Sequence, residues 1–231
     1  MLSRHHMRSA LPRASALAAR SDLGRVAARL FSAVVDSAWV RGGGDGAKKL
    51  VLLDCEQEMA YRRAHVPGAL PFVVAASGLK NPQPNTTSVI TKEQFESVVD
   101  GLELDADATL VFYDDDASMK AIRMWWVFRH FGFPKEQLKV LDGGWKQWVA
   151  DTGAVETSLP SSFPPATTKW SFTSTTNALV GLDAVKKGLD DGVQFLDSRS
   201  PAEYTGQNPA GNARPGGMRA LFHGQHDRSP Y

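Results

Sequence analysis

The sequence predicts an α/β fold, a central mostly parallel sheet flanked by helices, on three observations. Leu50-Val-Leu-Leu and Thr109-Leu-Val-Phe-Tyr113 are continuous apolar runs that end in acids, Asp54 and Asp114, as strands buried on both faces do. Segments with helical periodicity lie between and after them. The alternation strand, helix, strand, helix calls for crossover connections and hence a parallel sheet.

Taken in order, Ala33 to Val40 is a short apolar segment, followed by the flexible turn Gly42-Gly43-Gly44-Asp45-Gly46. After the first strand, Glu56 to Arg63 has helical character and stops at the turn His65-Val66-Pro67-Gly68. Asn81 to Ser88, with two prolines, reads as a loop. Thr91-Lys-Glu-Gln94 is a capping box, and Phe95, Val98, Val99 and Leu102 then mark one apolar helical face. Lys120 to Phe131 is apolar almost all round, which predicts a helix buried between the sheet and another layer. Lys139 to Leu141 is a third short strand, and Asp142-Gly143-Gly144 turns it into a helix beginning at Trp145.

Length and composition bound the function. The 231 residues suffice for one large domain or two small ones. With 42% hydrophobic and 22% charged residues the chain is not wholly disordered. A net charge of +1 excludes a global basic field for nucleic acid, and a single cysteine excludes an intrachain disulfide or a Cys-based zinc site. No apolar run approaches the roughly 18 residues of a membrane-spanning helix. The charge is nonetheless uneven. Six arginines (Arg4, Arg8, Arg13, Arg20, Arg25, Arg29) and one acid, Asp22, precede Val34. That composition predicts a transit peptide over residues 1–32, and Arg29-Leu-Phe-Ser32 resembles a mitochondrial processing site with cleavage after Phe31.

Residues 152–170, with three prolines, read as a linker between a first domain (33–151) and the start of a second (171–231). Beyond it the chain partly repeats itself: Leu53-Asp54 and Tyr61 recur as Leu196-Asp197 and Tyr204, both 143 positions later. Several motifs then converge: Leu52-Leu-Asp54, Ala64-His-Val-Pro-Gly-Ala69, Leu110-Val-Phe-Tyr-Asp114, Val140-Leu-Asp-Gly-Gly-Trp145-Lys-Gln-Trp148 and Phe195-Leu-Asp-Ser-Arg199 through Gly206. In order and spacing they resemble the rhodanese family of sulfurtransferases, specifically its two-domain thiosulfate and 3-mercaptopyruvate members.

The resemblance implies persulfide chemistry: a cysteine thiolate at the end of a central strand takes sulfur from a small anion and passes it to a thiol or cyanide. It also implies a non-catalytic first domain and a catalytic second one. Here an aspartate, Asp114, stands at the nucleophile's place, in the acidic loop Asp114-Asp115-Asp116, which reads as a helix cap and solvated turn. The second domain's nucleophile would fall past residue 231, so this domain is expected to be incomplete and no residue is assigned as catalytic. Cys55 reads as a packing residue. The substrate-gripping arginine that the family carries four residues after Asp-Ser-Arg is replaced by Glu203, which leaves Arg199 and Arg214 as candidate substrate contacts. Arg214-Pro-Gly-Gly-Met-Arg-Ala220 faintly imitates a catalytic loop but has no preceding strand. Neither the acidic loop nor His5, His6, His223 and His226 has the ligand pattern of a metal site, and no cofactor is expected.

The reading is a sulfurtransferase-lineage protein, inactive as this chain stands, whose partners by resemblance are a small sulfur-containing anion or a thiol acceptor, with neither nucleic acid nor membrane. The alternatives are a non-catalytic rhodanese-like binding or regulatory module, or a truncated gene product. Targeting to the mitochondrial matrix is expected with it. Sequencing the N-terminus of the protein from isolated mitochondria should begin at Ser32; an intact Met1 there would end the targeting reading.

Overall fold

The central strand is apolar on both faces, so the chain must cover both. The computed structural model describes residues 33–72, 89–115, 119–159, 166–168, 170, 179–205 and 207, and divides the chain into two compact units, Met1–Leu179 and Val180–Tyr231. In the first unit five parallel strands form one sheet: β1 (Val34–Val35), β2 (Leu50–Asp54), β3 (Leu70–Pro71), β4 (Thr109–Tyr113) and β5 (Leu138–Leu141), in the order β1-β5-β4-β2-β3. β4 is central, with Leu53 paired to Phe112 on one side and Phe112 to Val140 on the other.

Strand alternation sends Leu110 and Phe112 to one face, and Val111 and Tyr113 to the other. The first face meets α3 (Lys92–Gly101) and α4 (Met119–His130) in a core containing Phe95, Val99, Met124, Val127 and Phe128. Its aromatic rings interlock, with Phe128 at 5.0 Å from Phe95 and 4.7 Å from Phe133, both edge-on. The second face is covered by α1 (Ser37–Arg41) and α5 (Gly144–Thr152) through Trp39, Val40 and Trp148. A short helix, α2 (Glu58–Arg63), follows β2. The second unit holds α6 (Leu182–Asp190) and α7 (Pro201–Tyr204).

Several expectations need correction. The apolar segment before the Gly-rich turn is not one element: Asp36 accepts a 2.8 Å hydrogen bond from Trp39 N–H, ending β1 and capping α1. α4 is not buried all round, because Met119 and Ile122 face solvent while Ala121, Met124, Val127 and Phe128 pack on the sheet. A helix on the outside of a three-layer sandwich has only one face to bury. Residues 193–198, where the repeat suggested a strand, are not in one, since no described strand offers them a ladder. The loop read over 81–88 and the transit segment 1–32 lie outside the described residues.

The segment read as a linker is tied to the first unit at two places. His65 and Glu156 exchange backbone hydrogen bonds of 2.9 Å. Asp105, buried and paired with Lys49, also accepts from the Thr167 hydroxyl (2.8 Å) and Thr168 N–H (3.1 Å). Lys49 first, and Thr167 next, hold its carboxyl well below the usual range. Trp170 packs on Phe133, ring centroids 3.7 Å apart.

The turn Gly143-Gly144 fixes where α5 starts. Gly144 has φ +54°, and a Cβ there would drive into the Asp114 carbonyl oxygen, a backbone atom that cannot give way. Gly68 also has positive φ, +75°, but open space around it. Gly68→Ala is therefore expected to cost about 1–2 kcal/mol, the left-handed backbone penalty alone. Gly144→Ala should cost about 1–3 kcal/mol more, from overpacking. Denaturant unfolding of the two variants tests this; equal losses would refute the close approach.

Candidate functional site

In a parallel sheet all carboxyl ends of the strands lie on one edge, where helix N-termini and loops converge. β2 and β4 deliver Asp54, Cys55, Tyr113 and Asp114 to that edge. The Tyr113 hydroxyl donates to Asp54 Oδ2 at 2.7 Å and accepts from Val66 N–H at 3.1 Å, while Asp54 Oδ1 accepts from Glu56 N–H at 2.8 Å. Burial pushes the Asp54 carboxyl above its ordinary pKa, although the Tyr113 and Glu56 donors oppose it. The Tyr113 phenol is pushed far up, by burial first and the Asp54 charge second.

The turn His65-Val66-Pro67-Gly68 is built around Tyr61. The rings of His65 and Tyr61 stack at 3.8 Å, His65 Nδ1 lies 2.9 Å from the Tyr61 carbonyl, and the Tyr61 hydroxyl donates to the Ala69 carbonyl at 2.7 Å. Glu156 closes the turn by accepting from Gly68 N–H at 2.7 Å. His65 thus shapes a turn that presents Val66 N–H to Tyr113.

A shallow cleft opens beside this network, lined by Asp54, Glu56, Arg63, Tyr113, Asp115 and Trp145. Glu56 is partly desolvated, yet the Lys120 ammonium at 2.6 Å and Asp115 N–H at 3.2 Å hold its carboxyl below the usual range. Lys146 lies 3.6 Å from Asp115. Asp114 is not in a solvated turn: it is 1% exposed, and its Oδ2 accepts from Ala121 N–H in the first turn of α4 at 2.8 Å, while its carbonyl accepts from Trp145 N–H at 2.9 Å. The cap predicted for the acidic loop is there, with water excluded from it. Asp116 lies outside the described residues.

Cys55 is fully buried; its N–H donates to the Tyr113 carbonyl at 2.8 Å and its Sγ lies 3.6 Å from the Leu53 carbonyl. Burial, then the charges of Asp54 and Asp114, push its thiol well above the ordinary value. Of the candidate substrate contacts, Arg199 is engaged by Asp197 within its own unit, Nε to Oδ1 at 2.9 Å and Nη2 to Oδ2 at 2.6 Å, and the pair lowers the Asp197 carboxyl to about 2. Glu203 caps α7 by accepting from Ser200 N–H at 3.0 Å. Arg214, His5, His6, His223 and His226 lie outside the described residues, among which no group of side chains could hold a metal ion and no helix is long and apolar enough to cross a membrane. Sequence reasoning did not pick out Glu56, Arg63 or Trp145 as cleft residues. Their signal was positional, two and nine residues past a strand-ending acid and directly after Gly-Gly.

Iodoacetamide should leave Cys55 unmodified in the native protein even at alkaline pH and label it fully once the chain is denatured. Native labelling at the rate of a free thiol would contradict the burial described.

Residues 39–151 match the model of the rhodanese-like domain. Thiosulfate sulfurtransferase of Bos taurus is 31% identical over 183 residues, covering 78% of this chain and 56% of that protein. The mitochondrial thiosulfate/3-mercaptopyruvate sulfurtransferase 1 of Arabidopsis thaliana is 30% identical over 171 residues, covering 64% and 44%. The chain thus spans about half the length of the curated relatives it matches. The crystal structure of SseA from Escherichia coli, described as a 3-mercaptopyruvate sulfotransferase, superposes with a TM-score of 0.65 at 23% identity, covering 81% of this chain and 72% of that one, a likeness of fold. With the family's domain matched from α1 through α5 and the motifs of its sulfurtransferases set along the carboxyl edge of the sheet, this chain belongs to the rhodanese family.

Proposed function

We propose that this chain is a sulfurtransferase-lineage protein whose rhodanese-like domain is of the non-catalytic type, so that the chain does not itself carry sulfur. One observation carries the reading. The position after the central strand, where the family's chemistry needs a thiolate, holds a buried aspartate spent on capping α4, while the chain's single cysteine is sealed in the core. A carboxylate cannot hold a persulfide, and a thiol raised in pKa is a poor nucleophile. Asp115 and Glu56 at the cleft would also disfavour an anionic donor.

The proposal includes the start of a second rhodanese-like domain in 171–231. Its support is local geometry repeated at the offset read from the sequence. Asp197 accepts from the N–H two residues on, as Asp54 does, and α7 begins 143 positions after α2. Leu196 is 87% exposed whereas its counterpart Leu53 is fully buried, as expected of a strand segment without neighbours. Arg199 and Arg214 are the proposed contacts for a small sulfur-containing anion there, and at Arg199 the anion must displace Asp197. The arginine-rich N-terminus and the mitochondrial relative in Arabidopsis thaliana support a mitochondrial location. A non-catalytic binding module is the second reading, favoured by the buried aspartate that stands at the end of β4 in place of a thiolate.

Thiocyanate formation from thiosulfate and cyanide is the test. The purified protein should show no turnover above its Cys55→Ser variant, and Asp114→Cys should not create any, because Asp115 and Glu56 remain. Robust turnover that disappears in Cys55→Ser would overturn the reading.

A further inference from the structure

The segment that leads toward the second unit is strapped to the first by one carboxylate. Asp105, in the turn between α3 and β4, is 3% exposed and gives Oδ2 to Lys49. Its Oδ1 accepts from three donors of the strap: Thr167 N–H, the Thr167 hydroxyl at 2.8 Å and Thr168 N–H at 3.1 Å. Ala106 N–H in turn donates to the Thr168 carbonyl at 3.0 Å, and Ala166 N–H donates to Glu103 at 3.2 Å. Beyond these bonds, Trp170 lays its ring on Phe133.

The strap is held but not sealed. The Trp170 indole Nε1–H is buried with no hydrogen-bond partner among the described residues, so docking the ring takes a donor out of water and gives it nothing in exchange. Thr167, which supplies two of the three donors to Asp105 Oδ1, is itself exposed and lies in neither helix nor strand. A segment held in this way opens locally far more often than the domain unfolds. The ground beneath it is acidic. Glu103, Asp105 and Asp107 lie within five positions, and Lys49 and Lys48 are already paired with Asp105 and Asp107.

We propose that Thr167 is a phosphorylation site and that phosphate there holds the strap open. A threonine kinase meets the hydroxyl when the strap lifts. Oγ1 attacks the γ-phosphorus of ATP, the new O–P bond forms, the bond to ADP breaks, and the hydroxyl proton goes to the kinase's base. The modified side chain has no hydrogen left to give Asp105, and it carries about −1.5 to −2 charges at neutral pH. Redocking sets those charges a few ångströms from a buried carboxylate, where repulsion is strongest. The strap then stays open until a phosphatase acts. Release moves the last described tie before Val180, the first residue of the second unit, from Trp170 back to Glu156.

The full chain with phosphothreonine installed at position 167 during translation tests this, read by chymotrypsin cleavage after Trp170 and mass spectrometry. Cleavage there should be at least about tenfold faster than in the unmodified chain. It should return to the unmodified rate after phosphatase treatment. Thr167→Val, which loses the hydroxyl without gaining charge, should fall in between, and cleavage within β4 and α4 should change in none of them. Equal rates with and without phosphate would overturn the proposal. So would slower cleavage, the sign of phosphate tightening the strap on Lys48 and Lys49, or a Thr167→Val rate equal to that of the phosphorylated chain. The protein isolated from its source cells under phosphatase inhibition should carry phosphate on Thr167; that residue wholly unmodified there would overturn its assignment as a site.

Discussion

Asp114 joins three elements at the end of the central strand. Its carboxylate accepts from Ala121 N–H and so starts α4; its carbonyl accepts from Trp145 N–H and so anchors α5; its backbone continues β4. Gly144 exists at its position because nothing larger fits against that carbonyl. The layers on the two faces of the sheet are therefore registered through one residue. A helix cap contributes about 1 kcal/mol where it is exposed. A buried donor left without its acceptor costs about 1–3 kcal/mol, and here Ala121 is sealed from water.

That constraint decides the chemistry of the edge. A loop whose carboxylate is committed to the helix it caps offers no nucleophile, and the neighbouring Asp54-Tyr113-Val66 chain is likewise closed upon itself. The chain's one thiol is buried, and burial first, then the charges of Asp54 and Asp114, oppose its ionisation. Family membership and fold are those of sulfurtransferases, while the end of β4 holds an aspartate and the thiol of the described domain is buried. Function does not follow from fold here; it follows from which side chain occupies the end of β4.

Much of this was legible in the sequence, for reasons that can be named. β2 and β4 announced themselves as apolar runs because both of their faces are buried, and the Thr91–Gln94 capping box formed as read because it is local, with Gln94 N–H donating to the Thr91 hydroxyl at 3.3 Å. What escaped depends on distant partners. β3 is two residues long and is a strand only because β2 lies beside it. The exposed outer face of α4 reflects its place outside the sheet, which Trp125 and Trp126 disguise in a one-dimensional pattern. The anchoring of Thr167, Thr168 and Trp170 needed Asp105 and Phe133, both more than 30 positions away. At the site, the packing role of Cys55 was readable from position. The burial of Asp114 was not, because α4 and α5 create it.

The central claim is that Asp114 serves the fold rather than a reaction, and stability tests it most directly. Residues kept for chemistry tend to be replaceable with no loss, or a gain, in stability. The account predicts that equilibrium unfolding of Asp114→Ala shows a loss of about 1–3 kcal/mol, from the uncapped, buried Ala121 N–H. A variant as stable as the parent, or more so, would contradict it and return the end of β4 to the candidates for function.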